Sequence, residues 1–364
     1  MSIKNEYGTI TTQGIKYAGS KLKIIPYIIE IASSLKGVKS VLDGFSGTTR
    51  VSQAFAQMGY DTTSNDLAVW SEVFATCYLK ANKPVAYYQE IIDELNALKG
   101  FDGWFTEHYG GDEASSKKPF QLKNTRKLDA IRCAIDQLQL AWDDKCVLLT
   151  SLMLALDKVD STLGHYVAYL SKWSPRSYKD LVLQVPKRYE LKGNNRVLRG
   201  DVFDAIRQES YDFVYFDPPY GSNNGKMPSS RVRYQSYYHF WTSVIQHDEA
   251  ELFGKANRRE DTRDRTAVSV FEEFKKDEQD KFIALEALKR LIDETQSQYV
   301  LLSYSSGGKA SKAELSDIIT SSGKLIKAIE IDYKKNVMGN MRWTNEWVNS
   351  DGKYHEYLFL MKKG

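Results

Sequence analysis

Short strand-like runs that end in an acidic residue recur along this chain, and they restrict its fold more than any other feature. Residues 38–43, 60–66 and 213–217 each have the length of a strand and an acidic end. Residues 44–49 supply a glycine turn after the first run, and residues 50–58 have the apolar spacing of a helix. A strand, a turn, a helix and a second strand form a βαβ unit, which predicts an α/β fold with a largely parallel sheet.

Further strands and helices are predicted along the chain. An apolar run at 196–198 again precedes an acidic residue, Asp201. The other predicted elements are strands at 299–304 and 357–361 and helices at 70–79 and 282–292. This alternation of strands and helices extends the α/β pattern to the end of the chain.

The middle of the chain has a different pattern. From about residue 85 to residue 184, apolar residues recur at the spacing of helices rather than of strands. We interpret this region as a mainly helical insertion between two parts of the sheet. The predicted core then consists of residues 1–80 and 193–364, and the insertion consists of residues 81–192.

Charge alone does not identify a partner. The 364 residues include 50 Lys and Arg and 47 Asp and Glu, which gives a net charge of +3, far from the strongly basic balance of many nucleic-acid-binding proteins. Basic clusters at 172–188 and 258–265 fit phosphate contacts and solvated faces equally well. The polar N-terminus and the lack of a long apolar run predict a soluble protein of the cytoplasm, without a membrane span.

Neither the cysteines nor the histidines form a recognisable pattern. Cys77, Cys133 and Cys146 are odd in number and have no metal-ligand spacing, so we predict reduced, packed thiols. The five histidines also lack the spacing of metal ligands. We therefore predict no metal site.

The acidic strand ends indicate where a ligand binds. In an open α/β sheet, ligands lie beyond the carboxyl ends of the strands, where a glycine turn lets the backbone approach them. The first turn, Asp43-Gly44-Phe45-Ser46-Gly47-Thr48, lacks the third glycine of the dinucleotide fingerprint, which disfavours a cofactor with a pyrophosphate. On these residues alone, an ordinary turn between strand and helix is equally compatible.

The tetrapeptide Asp217-Pro218-Pro219-Tyr220 is the most specific motif in the chain. Two prolines directly after an apolar run cannot continue a central strand, so they form a rigid loop at its end. An adenine amine is a poor nucleophile, and acceptors for its hydrogens, such as Asp217 and the Pro218 carbonyl, would direct its lone pair at a methyl group. Tyr220 has the ring to stack on a base that has left the duplex. The alternative is a structural turn with a packed tyrosine.

Several motifs together resemble the Dam-like adenine-N6 DNA methyltransferases of bacterial restriction-modification systems. The matching stretches are Lys16-Tyr17-Ala18-Gly19-Ser20-Lys21, Phe45-Ser46-Gly47-Thr48-Thr49, Asn65-Asp66, Asp201-Val202-Phe203 and Asp217-Pro218-Pro219-Tyr220. The chain departs from the family pattern at Tyr17, Ser20 and Thr49, where the family more often has Trp, Gly and Gly. These departures affect the expected pose of the cofactor.

The resemblance implies a fold and a set of roles. It implies a Rossmann-like core that binds S-adenosylmethionine, with the insertion as target recognition domain. The implied cofactor-binding residues are Lys16 at the carboxylate, Phe45 against the cofactor, Asp66 at the ribose, Asp201 at the adenine amine, and Tyr17, Ala18, Gly19, Asp43, Gly47, Thr48, Val202, Phe203 and Asp217 around it. The implied partners are double-stranded DNA and a cognate restriction endonuclease, and we expect a bacterial monomer.

Other functions are alternatives to adenine methylation of DNA. The same core would serve another planar amine, such as cytosine N4, an RNA adenine or a protein glutamine, although Ser or Asn is then more common where Asp217 stands. A DNA-binding homologue without catalysis is a second alternative, and a nicotinamide dehydrogenase is disfavoured by the missing glycine. A cytosine-C5 methyltransferase would need a nucleophilic cysteine after a proline, and none of the three cysteines has that setting.

The aromatic and basic run at residues 231–241 has two interpretations. Its tyrosines and arginines would suit the wall of a DNA cleft, through stacking and phosphate contacts. A helix that packs an aromatic face inward explains the same residues. The sequence does not distinguish between them.

Overall fold

A computed structural model describes residues 3–5, 8–115, 118–221, 233–263, 269–333 and 354–364. Its strands in chain order are β1 (Ile3–Asn5), β2 (Gly8–Ile10), β3 (Ser40–Asp43), β4 (Asp61–Asp66), β5 (Gly110–Gly111), β6 (Phe120–Gln121), β7 (Arg196–Arg199), β8 (Tyr211–Phe216), β9 (Leu252–Phe253), β10 (Arg258–Arg259), β11 (Ser297–Ser305), β12 (Lys324–Tyr333) and β13 (Tyr354–Lys362). Its helices are α1 (Ile25–Ser34), α2 (Arg50–Gln57), α3 (Val69–Leu79), α4 (Val85–Ala97), α5 (Trp104–Tyr109), α6 (Leu122–Gln137), α7 (Trp142–Val159), α8 (Val202–Gln208), α9 (Tyr234–Tyr237), α10 (His239–Gln246), α11 (Ile283–Glu294) and α12 (Lys312–Ser322).

A sheet of seven strands forms the core, in the order β12-β13-β11-β8-β3-β4-β7. The five strands from β11 to β7 are parallel, and β13 runs antiparallel to both of its neighbours. The predicted α/β class with a largely parallel, Rossmann-like sheet is therefore confirmed. Asp43, Asp66 and Asp217 stand at or directly after the carboxyl ends of β3, β4 and β8, so one edge of the sheet collects all three.

The central strands are apolar because helices cover both faces of the sheet. Along β8, Phe213 and Tyr215 point into the cluster formed with α1 and α2. Val214 and Phe216 point the other way, into the cluster formed with α8, α11 and α12. Strands that are buried on both faces have continuous apolar runs, which is why this strand was predictable from sequence.

The edge strand β12 was not predicted. Among the described strands it pairs with β13 alone, and it carries charged residues along the sheet edge, among them Lys327 and Glu330. Its register shifts between Leu325 and Lys327, and Ile326 at that irregularity is 48% exposed. Charged side chains and bulges are typical of edge strands, and they weaken the apolar pattern on which a strand prediction depends.

The insertion shares its apolar core with the rest of the protein. Helices α4 to α7 pack with α3 and with α10 in one continuous cluster of buried side chains. The predicted helical character holds as far as Val159. From residue 160 to residue 195 the chain is irregular apart from a 3-10 turn at Pro175–Tyr178, because its hydrogen bonds are made largely by side chains.

The aromatic run after the Pro-Pro loop packs inward over most of its described part. Tyr238, Phe240 and Trp241 are fully buried at the end of α9 and in α10, while Tyr234 remains partly exposed. Arg231 lies outside the described residues. Among the residues that the structure describes, no helix combines the length and the apolar character needed to cross a membrane.

A buried arginine fixes α10 against the insertion. Arg132 in α6 is 1% exposed, and its Nε donates to the carbonyl of Val244 at 2.6 Å. Its Nη2 donates to the carbonyl of Ile245 at 3.2 Å, and its Nη1 lies 3.0 Å from Asp136. These carbonyls belong to the last turn of α10, where no further helical donor follows.

Replacing this arginine should destabilise the protein. Arg132→Leu leaves the carbonyls of Val244 and Ile245 without donors, so we expect the free energy of unfolding to fall by about 2 to 4 kcal/mol. Urea denaturation followed by circular dichroism measures the change. Arg126→Leu is the matched control, because Arg126 pairs with Asp102 at the surface and should matter much less. Equal effects of the two substitutions would contradict the assignment.

Candidate active site

A cavity of about 250 Å³ opens at the carboxyl edge of the sheet. The predicted site residues that line it are Tyr17, Ala18, Gly19, Phe45, Asp66, Asp201, Val202, Asp217, Pro218, Pro219 and Tyr220. A smaller recess beside it is lined by Asp43, Gly47 and Thr48 and shares Tyr17, Gly19, Phe45 and Asp217 with the cavity. The structure thus brings together motifs that lie up to 200 residues apart in sequence.

Two predicted residues do not line either space. Phe203 is buried in the apolar cluster under α8, and its backbone N–H donates to Asp201 at 2.8 Å as the helix begins. Lys16 points away from the cavity, and its Nζ lies 2.7 Å from Asp160 and 3.2 Å from Asp157. The backbone of the Lys16 motif therefore approaches the cavity, but its first lysine side chain does not reach the lining.

The carboxylate of Asp217 belongs to a buried row of charges. Its Oδ1 lies 2.9 Å from Nζ of Lys21, which lies 2.7 Å from Oε1 of Glu356. The same Glu356 oxygen accepts a hydrogen bond from the hydroxyl of Ser303 at 2.7 Å. Lys21 belongs to a motif identified from the sequence, but neither Lys21 nor Glu356 had a predicted role. No spacing rule connects them, since they are 335 residues apart.

Burial controls the charge of this row. Burial raises the pKa of Asp217, Lys21 lowers it and Glu356 raises it, and together they bring it to about 7. Burial also opposes the charged form of Lys21, but the carboxylates of Asp217 and Glu356 outweigh it and raise the pKa of Lys21 well above its ordinary value. Lys21 is therefore the permanent cation that lets a buried Asp217 ionise.

The first turn places a second buried carboxylate in the recess. Asp43 is 1% exposed, and its Oδ2 accepts a hydrogen bond from Ser52 at 2.6 Å. Its Oδ1 has no hydrogen-bond partner among the described residues. Burial raises the pKa of Asp43 to about 7 although the Ser52 hydrogen bond lowers it. A buried carboxylate oxygen without a partner is a ready acceptor for an ammonium group.

Asn65 and Asp66 close the turns around the cavity. The amide of Asn65 donates to the carbonyls of Gly44 at 3.2 Å and Gly200 at 3.3 Å, so it joins the ends of three strands. The carboxylate of Asp66 accepts from the backbone N–H of Gly47 at 2.8 Å and of Ala68 at 2.9 Å. Burial raises the pKa of Asp66, and these backbone hydrogen bonds lower it.

The turn tolerates the departure from the family pattern. Gly47 has a φ of 48°, and a Cβ there would lie 3.2 Å from the ring of Tyr17. Thr49 adopts a φ of 59°, which costs a residue other than glycine about 1 to 2 kcal/mol. Its hydroxyl accepts a hydrogen bond from Gln53 at 3.0 Å, and the residue is fully buried. The left-handed turn therefore persists without the glycine.

Aromatic rings form the remaining walls. Tyr17 stacks on Tyr238 at a centroid distance of 4.8 Å and meets Tyr234 at 5.4 Å. On the other side, Phe45 meets Phe271 edge to face at 5.2 Å. Tyr17 and Phe45 came from the motifs, but Phe271 belongs to a 3-10 turn at Val270–Glu272 that has no recognisable motif. Flat rings beside an apolar cavity suit flat aromatic ligands.

The residues fit a nucleoside that carries a charged amino acid. The turn lacks the third glycine of the dinucleotide fingerprint, Phe45 and Val202 offer an apolar wall to a purine, and the unpartnered oxygen of Asp43 suits an ammonium group. Asp217 lies in the same space. This fold, with a site that suits such a ligand, is that of an S-adenosylmethionine-dependent methyltransferase.

Comparison with known proteins gives the family. The chain matches the profile of the D12 class N6 adenine-specific DNA methyltransferases over residues 17–336 and belongs to that family. It is 26% identical over 363 residues to the type II methyltransferase M.NlaIII of Neisseria lactamica, covering 96% of this chain and 99% of that protein. It is 27% identical over 373 residues to the modification methylase StsI of Streptococcus sanguinis and 24% over 371 residues to the type II methyltransferase M.FokI of Planomicrobium okeanokoites.

These last two matches cover 96% of this chain but only 52% and 53% of the relatives, so the chain spans about half of their length. The family membership confirms the predicted activity. The protein is an adenine-N6 DNA methyltransferase with S-adenosylmethionine as methyl donor.

Replacing the buried Asp43 by a neutral residue should make the protein more stable. The pKa of this aspartate is near 3.8 in the unfolded chain and about 7 in the folded protein. The ionisation of Asp43 therefore lowers the free energy of unfolding in full above pH 7 and not at all below pH 4. We expect Asp43→Asn to raise the free energy of unfolding by about 2 to 4 kcal/mol at pH 8, with the gain shrinking towards pH 4. Urea denaturation at both pH values measures it.

Asp212 is the matched control, for which the substitution should change stability in the opposite direction. Burial opposes its ionisation, but hydrogen bonds from Ser40 and Lys39 outweigh it and lower the pKa of Asp212. Asp212→Asn should therefore reduce stability at pH 8. An Asp43→Asn protein that is no more stable than the unaltered protein at pH 8 would contradict the assignment.

Proposed function

We propose that this protein methylates adenine N6 at a specific sequence of duplex DNA as the modification enzyme of a bacterial restriction-modification system. The observation that carries the proposal is that the loop of Asp217 and the cofactor motifs line one cavity. The relatives support the biological setting, because those named above are type II methyltransferases and modification methylases. A cognate endonuclease for the same site, a cytoplasmic location and a monomeric state belong to this proposal.

Asp217 and its loop hold the target base. The carboxylate of Asp217 and the carbonyl of Pro218 accept the two hydrogens of the adenine amine, which directs the nitrogen lone pair at the methyl group. Tyr220 stacks on the base after it has swung out of the duplex, a step that costs a few kcal/mol. The carbonyl of Tyr220 is fixed by the backbone N–H of Lys309 at 2.9 Å, so the loop is held before the base arrives.

The first turn and its neighbours hold the cofactor. Phe45 and Val202 would lie against the adenine ring, Asp201 would accept from its amine, and Asp66 would accept from the ribose hydroxyls, since all four line the cavity. Asp43 would bind the ammonium group in the recess. When bound, S-adenosylmethionine supplies a methyl group on a positively charged sulfur.

The transfer requires no covalent bond to the protein. Asp217 and Pro218 orient the amine for direct displacement, so positioning and hydrogen bonding supply the catalysis. Cys77 and Cys146 are buried in the apolar core, and burial raises the pKa of Cys77 to about 12. Neither thiol lines the cavity, which agrees with a mechanism without a cysteine nucleophile.

The insertion supplies the DNA contacts that select the sequence. We assign residues 81–192 to target recognition and residues 1–80 and 193–364 to catalysis. The support is positional, because α7 leads into the irregular segment, and Tyr166 of that segment donates to the carbonyl of Tyr237 in α9, the helix whose Tyr234 lines the cavity. The recognised bases depend on side chains that reach the groove edges.

Removing the Asp217 carboxylate should abolish transfer but not cofactor binding. We expect Asp217→Ala to reduce the rate of methyl transfer by about 10²-fold to 10³-fold or more, because an acceptor aimed at the reacting amine is lost. The assay transfers labelled methyl into unmethylated bacterial DNA, which is then digested to nucleosides. Calorimetry with S-adenosylhomocysteine checks binding, and Asp204→Ala, at an exposed position of α8, is the control.

The labelled nucleoside decides between substrates. Label in N6-methyladenine supports the proposal. Label in N4-methylcytosine would show instead that the enzyme methylates the N4 amine of cytosine. An unaltered protein that binds the cofactor but labels no DNA would point to another planar amine. Near-normal transfer by Asp217→Ala would reject the role of Asp217.

Removing the Lys21 charge should shift the pH dependence of transfer. Asp217 accepts hydrogen bonds as a carboxylate, so the single-turnover rate should rise with pH and level off once it is ionised. Since Lys21 lowers the pKa of Asp217, Lys21→Gln should move this rise to higher pH. The measurement is the single-turnover rate between pH 5.5 and 9 at saturating cofactor. Lys23→Gln in the same 3-10 turn should leave the profile in place, and an unshifted Lys21→Gln profile would contradict the pairing.

A further inference from the structure

The first lysine of the N-terminal motif is engaged inside the protein. Nζ of Lys16 lies 2.7 Å from Oδ1 of Asp160, 3.2 Å from Oδ1 of Asp157 and close to the Asp157 carbonyl. The backbone N–H of Lys16 also donates to Asp157 at 3.2 Å. Both aspartates belong to the end of α7, so the motif is attached to the insertion.

Asp160 is the centre of this attachment. It is 1% exposed, and its carboxylate also receives Nε of Arg176 at 2.8 Å and the hydroxyl of Thr162. Its backbone carbonyl accepts from Ser174 at 2.9 Å and from Arg176 at 2.8 Å. A buried carboxylate with this many donors organises the irregular segment 160–174, which forms neither helix nor strand.

The same segment contacts the helices beside the cavity. The backbone N–H of Tyr166 donates to the carbonyl of Tyr237 at 2.8 Å, and the carbonyl of Tyr166 lies 3.0 Å from Nε2 of His239. The N-terminal motif reaches these helices too, because the N–H of Ala18 donates to the hydroxyl oxygen of Tyr238 at 2.7 Å. Motif, segment and helices therefore form a closed ring of contacts.

This ring surrounds Tyr17, which forms a wall of the cavity. Residues 16–19 have neither helix nor strand, so contacts of side chains and single amides determine where Tyr17 lies. The ring of Tyr17 stacks on Tyr238 and lies against Gly47 in the cofactor turn. Any displacement of Lys16 or Asp160 therefore reaches the cofactor cavity through Tyr17.

We propose that Lys16 and Asp160 are positioning residues, whose ion pair holds the 16–19 loop over the cofactor cavity, and that Lys16 does not bind the cofactor carboxylate. The inference rests on the proposed cofactor cavity and replaces the role that the family resemblance gave to Lys16. It makes Asp160, in the insertion, part of the machinery that positions the cofactor.

Two ligands separate positioning from direct contact. S-adenosylhomocysteine carries the amino acid carboxylate, and 5'-methylthioadenosine lacks the amino acid. If Lys16 positions the loop, Lys16→Met weakens both ligands by a similar factor, about threefold to thirtyfold. If Lys16 binds the carboxylate, only S-adenosylhomocysteine is weakened, and this result overturns the inference. Isothermal titration calorimetry measures both affinities.

A substitution of Asp160 tests the same inference a second time. Asp160→Asn should weaken both ligands as Lys16→Met does, and the double variant should be no weaker than either single one. Direct contact predicts the opposite, because a Lys16 released from Asp160 would bind the carboxylate at least as well. Lys16→Arg keeps the pair and should restore both affinities, while Lys158→Met, on the exposed side of α7, is the neutral control.

The outcomes are distinguishable from failure of the proposed function. The binding measurements need no DNA, so they remain valid if the DNA substrate is wrong. An unaltered protein that binds neither ligand would overturn the cofactor cavity and this inference together. Should Asp160→Asn fail to fold, Lys16→Met still decides, because Arg176 remains paired with Asp160 in that variant.

Discussion

Burial of an ionisable carboxylate beside the cavity is the constraint on which the site depends. Burial favours the neutral form of Asp217. Nζ of Lys21, 2.9 Å from the Asp217 carboxylate, offsets this effect, and Glu356 in turn balances Lys21 from β13, the antiparallel strand beside β11. The N-terminal motif, the end of β8 and the last strand of the sheet are therefore joined by one row of charges. The C-terminal strand must be in place for this row of charges to be complete.

Sequence reasoning identified the features that are local in the chain. Strands buried on both faces, the first turn and the Pro-Pro loop each have a signature within about ten residues, and the structure places them as predicted. Features that depend on distant partners were missed. The pairing of Lys21 with Glu356 spans 335 residues, and the pairing of Lys16 with Asp160 spans 144. A motif predicts where its backbone lies, but the direction of a long charged side chain depends on partners elsewhere in the fold.

The sequence departs from the family motif at Tyr17, Ser20 and Thr49, and the structure shows how Tyr17 and Thr49 are accommodated. Tyr17 stands where tryptophan is common, and it packs among Trp70, Tyr234 and Tyr238. Thr49 keeps the left-handed conformation of a glycine, with its hydroxyl bonded to Gln53.

The continuous apolar core of α3, α4 to α7 and α10 has a consequence for how such proteins diversify. Trp70 and Phe74 of α3 bury their rings against side chains of the inserted helices, so the catalytic half would expose them to water if the insertion were removed. The insertion therefore cannot be exchanged as an independent module without repacking the interior. With the insertion in its proposed role, new recognition of DNA would arise instead through substitutions in surface segments that leave the shared core intact. Descendants of one ancestor would then differ mainly in those exposed segments and agree in the helices beneath them.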